Sequence, residues 1–341
     1  MKKLYIAILA VLLCSQTLQA QVNHQGEPFR WETPSQSDNV AFVQMPTLDM
    51  EAITEEDSES DKYKEFSYRF GIERTVNLNT DNNGTWTSEG DLNIWRLGVH
   101  APAAKAVSFL FKEFELPKTA KLFIYDKERT HFIGAFNYTN QQANGMLATS
   151  LVYSENVIIE LQIPADQDLS DLRLSIGQIV HAYRGLDSKF EELKAGDRDP
   201  FGTSGSCNIG INCPEGSEWQ IEKQSVAIIT SGGGAVCTGA LVNNTANDGY
   251  PYFLTANHCL GGGVDNWVFY FNHEASTCNG NSGPTNNSVS GASIVANNAN
   301  SDFGLLEINN GNDIPANFDA EFAGWDNSDS PAAVTASIGI H

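Results

Sequence analysis

Basic residues are scarce in this 341-residue chain, especially after residue 201. The chain has 20 Lys and Arg against 42 Asp and Glu, which gives a formal net charge of −22. Lys223 is the only Lys or Arg in residues 202–341. Nucleic acids and anionic membranes are bound by basic surfaces, so this composition argues against both as partners.

The chain also lacks an apolar stretch long enough to span a bilayer. The run from Leu4 to Leu13, which follows two lysines, is too short for a transmembrane helix. Small and polar residues then lead to Ala20, which is typical of a secretory signal peptide over residues 1–20. We therefore expect a secreted, extracellular protein, and Leu13 ahead of Cys14 argues against a lipid anchor.

Composition divides the rest of the chain into four segments. Residues 21–60 are polar and acidic, which predicts a flexible leader. Residues 61–186 alternate short apolar runs with turn signals, which predicts a β-sandwich-like binding or folding module. Residues 187–204 have the composition of an exposed linker, where proteolytic cleavage concentrates. A second β-rich segment extends from 205 to 341.

Five of the six cysteines lie in this last segment, at positions 207, 213, 237, 259 and 278. The sixth, Cys14, would be removed with the signal peptide. Exported cysteines are expected to form disulfides, but five is an odd number. Either one thiol is free, or its partner lies in sequence outside this chain.

Three pieces of the last segment carry a chemical pattern. They are Ala235-Val-Cys-Thr-Gly-Ala-Leu-Val, Tyr252-Phe-Leu-Thr-Ala-Asn-His-Cys and Ser301-Asp-Phe-Gly-Leu-Leu-Glu-Ile. The second places His258 at the end of a strand, and the third places Asp302 at the start of another. An imidazole can take a hydroxyl proton, and a carboxylate shielded from water can hold that imidazole in one tautomer.

Thr-Ala-Asn-His-Cys resembles the Thr-Ala-x-His-Cys signature of trypsin-like serine proteases. The other two pieces resemble that family's upstream cysteine-bearing strand and its Asp-x-x-Leu-Leu strand. Gly205-Ser-Cys-Asn-Ile, Cys213-Pro-Glu-Gly and Ala323-Gly-Trp-Asp are similar to stretches of bacterial lysyl endopeptidases. The resemblance implies an all-β protein in which a sandwich-like propeptide precedes the first barrel, and the start of the second, of a trypsin-like double β-barrel.

The resemblance also implies roles for individual residues. His258 would be the general base and acid, and Asp302 would orient it. Disulfides Cys237–Cys259 and Cys213–Cys278 are implied, with Cys207 left unpaired because its partner would lie beyond this chain. The implied activity is hydrolysis of peptide bonds after Lys or Arg, with protein or peptide substrates and the protein's own propeptide as partners.

The nucleophile of such an enzyme is not recognisable in this chain. Gly280-Asn-Ser-Gly-Pro contains Ser282, but it lies between His258 and Asp302, against the family's His–Asp–Ser order, so we interpret it as a loop. We therefore expect a truncated protease domain over 205–341 that is inactive alone. A zinc site at His258, Cys259, His273 and Cys278 lacks the usual ligand spacing, so we expect no metal or cofactor.

Two hypotheses follow. Residues 61–186 would be a propeptide that chaperones or inhibits the protease and is released by cleavage in the linker. The near absence of Lys and Arg after residue 201 would spare an enzyme that cuts after those residues from digesting itself, although an acidic secreted surface explains the same gap. The alternative from a different class is a non-catalytic secreted β-protein, an adhesin or a pseudoprotease binding module.

Overall fold

The structure is a computed structural model that describes residues 26–32, 40–60, 68–184, 209–261, 263–278, 280, 283–326 and 338–340. The predicted signal peptide and linker, Cys207 and Ser282 lie outside these ranges. One described segment is an α-helix, α1 (Met50–Ser60), which is too short and too polar to cross a bilayer. The strands are β1 (Phe42–Gln44), β2 (Tyr68–Arg69), β3 (Gly71–Asn79), β4 (Thr85–Glu89), β5 (Leu92–His100), β6 (Ala106–Glu115), β7 (Lys121–Asp126), β8 (Phe132–Phe136), β9 (Leu147–Ala148), β10 (Asn156–Pro164), β11 (Arg173–Ala182), β12 (Val226–Ser231), β13 (Gly234–Leu241), β14 (Tyr252–Ala256), β15 (Trp267–Phe271), β16 (Asn287–Ser290), β17 (Ala292–Asn298) and β18 (Phe303–Ile308).

Residues 26–184, the N-terminal module, contain two sheets that share one core. The first has the order β1–β5–β10–β7–β8 with β4 beside β5, and the second has the order β3–β11–β6–β9. Val157, Ile159 and Leu161 of β10 enter the core, together with Phe109 and Phe111 of β6. Side chains of a strand point alternately to its two faces, so one face of each sheet enters this shared core, and the all-β, sandwich-like prediction is confirmed.

The predicted flexible leader contains ordered structure where it is described. β1 pairs in parallel with β5, and Trp31 and Phe42 pack on the outer face of the first sheet. Phe29 donates its backbone N–H to Glu160 Oε1 at 2.6 Å, and Arg96 Nε donates to Glu160 Oε2 at 2.7 Å. The leader covers this apolar, charge-paired face, a long-range contact that its polar composition does not reveal.

Helix α1 is held to the same module by a buried carboxylate. Asp57 is only 1% exposed and accepts hydrogen bonds from Arg69 Nε at 2.9 Å and the Tyr183 hydroxyl at 2.7 Å. It also forms an ion pair with Arg184. Burial and the hydrogen bond to Asp57 raise the pKa of the Tyr183 hydroxyl far above its ordinary value. Asp57 thus joins the end of β2 to Arg184, the last described residue before the predicted linker.

Residues 209–326, the half-barrel, form one sheet with the order β16–β15–β12–β13–β14–β18–β17. Phe253 in the middle of this sheet shares a core with Val289 and Ala292 near its two edges. Strands at opposite edges can reach one core only if the sheet curls, as the first barrel of a double β-barrel does. This agrees with the predicted trypsin-like fold class.

The N-terminal module is docked on the half-barrel by an added strand and an apolar patch. β2 pairs antiparallel with the start of β13, and the N–H groups of Phe70 and Gly71 donate to Gly233 O at 2.7 and 2.9 Å. Phe70, which is 2% exposed, belongs to a cluster that includes Val268 and Tyr270 of β15. The pairing of β2 with β13 and the burial of Phe70 together hold the N-terminal module against the half-barrel.

Candidate active site

His258 lies in a short 3-10 turn, Asn257–Cys259, directly after β14. β14 is an interior strand of the half-barrel, paired with both β13 and β18. Cys259 forms a disulfide with Cys237 of β13, and the Thr255 hydroxyl donates to Thr238 O at 2.9 Å. The disulfide and the strand pairing therefore fix the backbone on both sides of the imidazole.

Asp302 reaches His258 because β18 pairs with β14. The pairing of Ala256 with Phe303 places the residues just beyond each strand end side by side, and Asn257 N–H donates to Asp302 O at 3.0 Å. Asp302 Oδ1 accepts the backbone N–H of His258 at 2.9 Å, and Oδ2 lies 2.7 Å from His258 Nδ1. The carboxylate thus holds both the backbone and the ring of the histidine.

These contacts determine the electrostatics of the pair. The backbone N–H of His258 and then its ring lower the pKa of the Asp302 carboxyl below its ordinary value. The carboxylate is therefore ionised at neutral pH and favours the His258 tautomer with the proton on Nδ1. In that tautomer Nε2 carries a lone pair, so the ring can accept a proton from a neighbouring hydroxyl.

The pair is more open to solvent than the sequence predicted. The side chain of His258 is 72% exposed and that of Asp302 is 51% exposed. Four large apolar side chains on β14, β17 and β18 are also exposed: Leu254, Ile294, Val295 and Phe303. A shielded carboxylate was expected from the buried strand that follows it, but Asp302 lies ahead of that strand, on a face that the described residues leave open.

One feature of Asp302 was missed by sequence reasoning. Its φ of 52° is left-handed, a conformation that Asp adopts more readily than most residues. This bend lets one carboxylate reach both the ring and the backbone of His258. The only sequence signal for a catalytic carboxylate here is the Ser-Asp pair ahead of the strand. Such a pair, taken alone, is more often part of a turn or cap.

The second disulfide joins Cys213 to Cys278, which is the other pair that the family resemblance implied. Among the described residues, Cys237, His258 and Cys259 place possible metal-ligand atoms close together. Both sulfurs are in a disulfide, so neither is a thiolate that could bind zinc. His273, considered in the same role, has its Nδ1 3.1 Å from Pro284 O.

Comparison with known proteins finds two family matches, one in each half of the chain. Residues 41–183 match the family described as lysyl endopeptidase N-terminal domain, and residues 201–341 match lysyl endopeptidase, C-terminal domain. Lysyl endopeptidase of Pseudomonas aeruginosa (strain PAO1) is 30% identical over 200 residues, covering 52% of this chain and 42% of the relative. The chain thus spans less than half the length of that relative.

The curled sheet, with its His–Asp pair at the ends of two neighbouring strands, defines a protein of the trypsin-like fold class. The two domain matches and the similar relative make it a lysyl endopeptidase-like protein.

Proposed function

We propose that this chain is part of the precursor of a secreted serine endopeptidase that hydrolyses peptide bonds after Lys or Arg. The observation that carries the proposal is the 2.7 Å contact between His258 Nδ1 and Asp302 Oδ2 in a segment that matches the lysyl endopeptidase C-terminal domain. The preference for Lys is supported by the similarity of the chain to lysyl endopeptidases.

In the proposed mechanism His258 acts through Nε2. It takes the proton from a serine hydroxyl as the oxygen attacks the substrate carbonyl carbon, and it later gives that proton to the leaving amine nitrogen. Asp302 stays ionised, holds the ring and stabilises the imidazolium that forms between the two steps. We propose that the serine and the oxyanion-hole amides come from sequence beyond residue 341, so that residues 1–341 alone are inactive.

The N-terminal module is proposed to be the propeptide, and residues 1–20 the signal peptide that directs export. Support comes from the docking of β2 on β13 and from Phe70 in the shared apolar cluster. Cleavage in the 187–204 linker would separate the propeptide from the protease chain. The docked module would then leave by breaking non-covalent contacts alone.

The test uses the full-length gene product, including all sequence downstream of residue 341. We expect the secreted mature enzyme to begin within 188–205, after a cut in the linker, and to cut a mixed peptide library after Lys or Arg. His258→Ala is expected to abolish cleavage, while His273→Ala, a partly buried histidine in the loop after β15, keeps it. A mature N-terminus near residue 22 would remove the propeptide role, and an inactive full-length protein would favour the non-catalytic β-protein.

A further inference from the structure

Lys223 is the single Lys or Arg in residues 202–341, and its side chain is held in place. Its Nζ lies 2.6 Å from Glu274 Oε1 and 3.4 Å from Asn212 Oδ1. The Lys223 side chain is 16% exposed, and the Glu274 side chain is 28% exposed. The ammonium therefore joins the beginning of the half-barrel to the loop after β15.

The peptide bond that follows Lys223 is also fixed by its backbone. Lys223 lies in the 3-10 turn Glu222–Ser225, and its carbonyl accepts the N–H of Val226, the first residue of β12. Gln224 N–H donates to Ile221 O at 3.1 Å, and Gln224 O accepts Glu321 N–H at 3.3 Å. Both residues of the Lys223–Gln224 bond thus take part in backbone hydrogen bonds next to an interior strand.

The same corner is held by further contacts. Asn212 Nδ2 donates to Ala275 O at 2.7 Å, and the Cys213–Cys278 disulfide joins the same two segments. A protease binds its substrate as an extended strand, so cleavage after Lys223 needs local opening of the turn. Such opening separates Lys223 from Glu274.

The N-terminal module offers lysines in a different setting. Lys118 lies in the turn between β6 and β7, and Lys127 lies in the turn between β7 and β8. Both are exposed. Exposed turns are the preferred sites of proteolytic cleavage in folded proteins.

We propose that the ion pair with Glu274 and the surrounding turn protect the Lys223–Gln224 bond from cleavage. The half-barrel then contains no accessible site for a lysine-specific protease, while the docked N-terminal module does. The biological consequence, resistance of the mature enzyme to its own activity, depends on the proposed function. The protection itself is a property of the folded chain.

A lysine-specific endopeptidase from another organism, added to the purified 341-residue chain, tests the protection directly. Cleavage is followed by intact-mass spectrometry, with cuts after Lys118 and Lys127 as an internal measure of folding. We expect these cuts to precede any cut after Lys223. Glu274→Gln should speed the cut after Lys223 about tenfold, because the Lys223 ammonium then pairs with a neutral amide oxygen, whose hydrogen bond is weaker than that of a carboxylate.

Glu218→Gln is the matched control. It makes the same charge change on an exposed residue that lies in the segment ahead of Lys223. It should leave cleavage after Lys223 unchanged. Lys223→Arg combined with Glu274→Gln should remove the new cut. The proposal is overturned if the wild-type chain is cut after Lys223 as fast as after Lys118, or if Glu274→Gln is cut at the wild-type rate. A full-length enzyme that cuts peptides after other residues would refute the proposed function without changing these digestion results.

Discussion

Replacing Phe70 by alanine is expected to release the N-terminal module from the half-barrel once the linker between them is cut. Phe70 is 2% exposed and lies in the cluster formed by both parts, next to the strand pairing of β2 with β13. Truncation of a buried Phe to Ala costs about 3–5 kcal/mol. If docking loses this whole free energy, the dissociation constant of the two pieces rises roughly 10²- to 10⁴-fold, since each 1.4 kcal/mol is a factor of about ten.

The assay is gel filtration of a chain with a specific protease site inserted in the 187–204 linker. After cleavage the wild-type pieces should elute together at micromolar concentration, whereas the Phe70→Ala pieces should separate. Phe123→Ala is the control for loss of a buried ring, because Phe123 is 0% exposed in a cluster of the N-terminal module alone. Co-elution of the Phe70→Ala pieces, with both still folded by circular dichroism, would contradict the assignment of Phe70 to the docking contact.

A second variant perturbs the same contact without changing Phe70. A Cβ added at Gly233 would overlap the carbonyl oxygen of Gly71, so Gly233→Ala should push β2 away from β13. At Gly261 an added Cβ meets nothing within 4 Å, which makes Gly261→Ala the matched control. We expect only the first of these variants to separate the two pieces.

Three further predictions concern the Cys237–Cys259 disulfide, the buried His181 and the carboxylate of Asp302, which is proposed to orient His258. Replacing Cys237 and Cys259 by serine opens a link across a sequence separation of 22, which should lower the free energy of unfolding in urea by about 3 kcal/mol; no change in the midpoint would refute this. Burial, and then the charge of Arg74, lower the pKa of His181 to about 4 from 6.5, so the folded state favours the neutral ring. The neutral ring therefore contributes to the free energy of unfolding above pH 6.5, and this contribution is lost as the pH falls toward 4. The loss is about 2 kcal/mol at pH 5. His181→Leu should abolish this pH dependence, measured by thermal unfolding at pH 7 and pH 5. In the full-length enzyme Asp302→Asn should lower kcat about 10⁴-fold with normal secretion, and near-normal kcat would remove Asp302 from the mechanism.

The sequence predicts the strands of the half-barrel well because the signal is local. In β14 and β18 buried residues alternate with more exposed ones, as in a strand, and Gly, Asn and Asp mark the turns that flank them. The resemblance to trypsin-like proteases then singles out His258 and Asp302. It does so from their flanking residues, without any information about the distance between the two side chains.

The polar leader and Lys223 show which contacts local sequence patterns do not predict. Phe29 binds Glu160 across 131 residues, and Lys223 binds Glu274 across 51. Neither contact has a sequence signature, because an isolated Glu or Lys looks like a solvated surface residue. Whether such a residue is buried and paired depends on which distant strand or loop packs against it.

The sequence by itself determined the all-β class, the order of the two modules and the candidates His258 and Asp302. Only the tertiary structure decided that these two side chains meet, since 44 residues separate them and the register of β14 on β18 brings them to 2.7 Å. It also decided that β2 crosses from the N-terminal module to the half-barrel, and that Lys223 is held by Glu274. Strand periodicity and turn residues are encoded over a few positions, whereas strand register and ion pairing result from the packing of the whole chain.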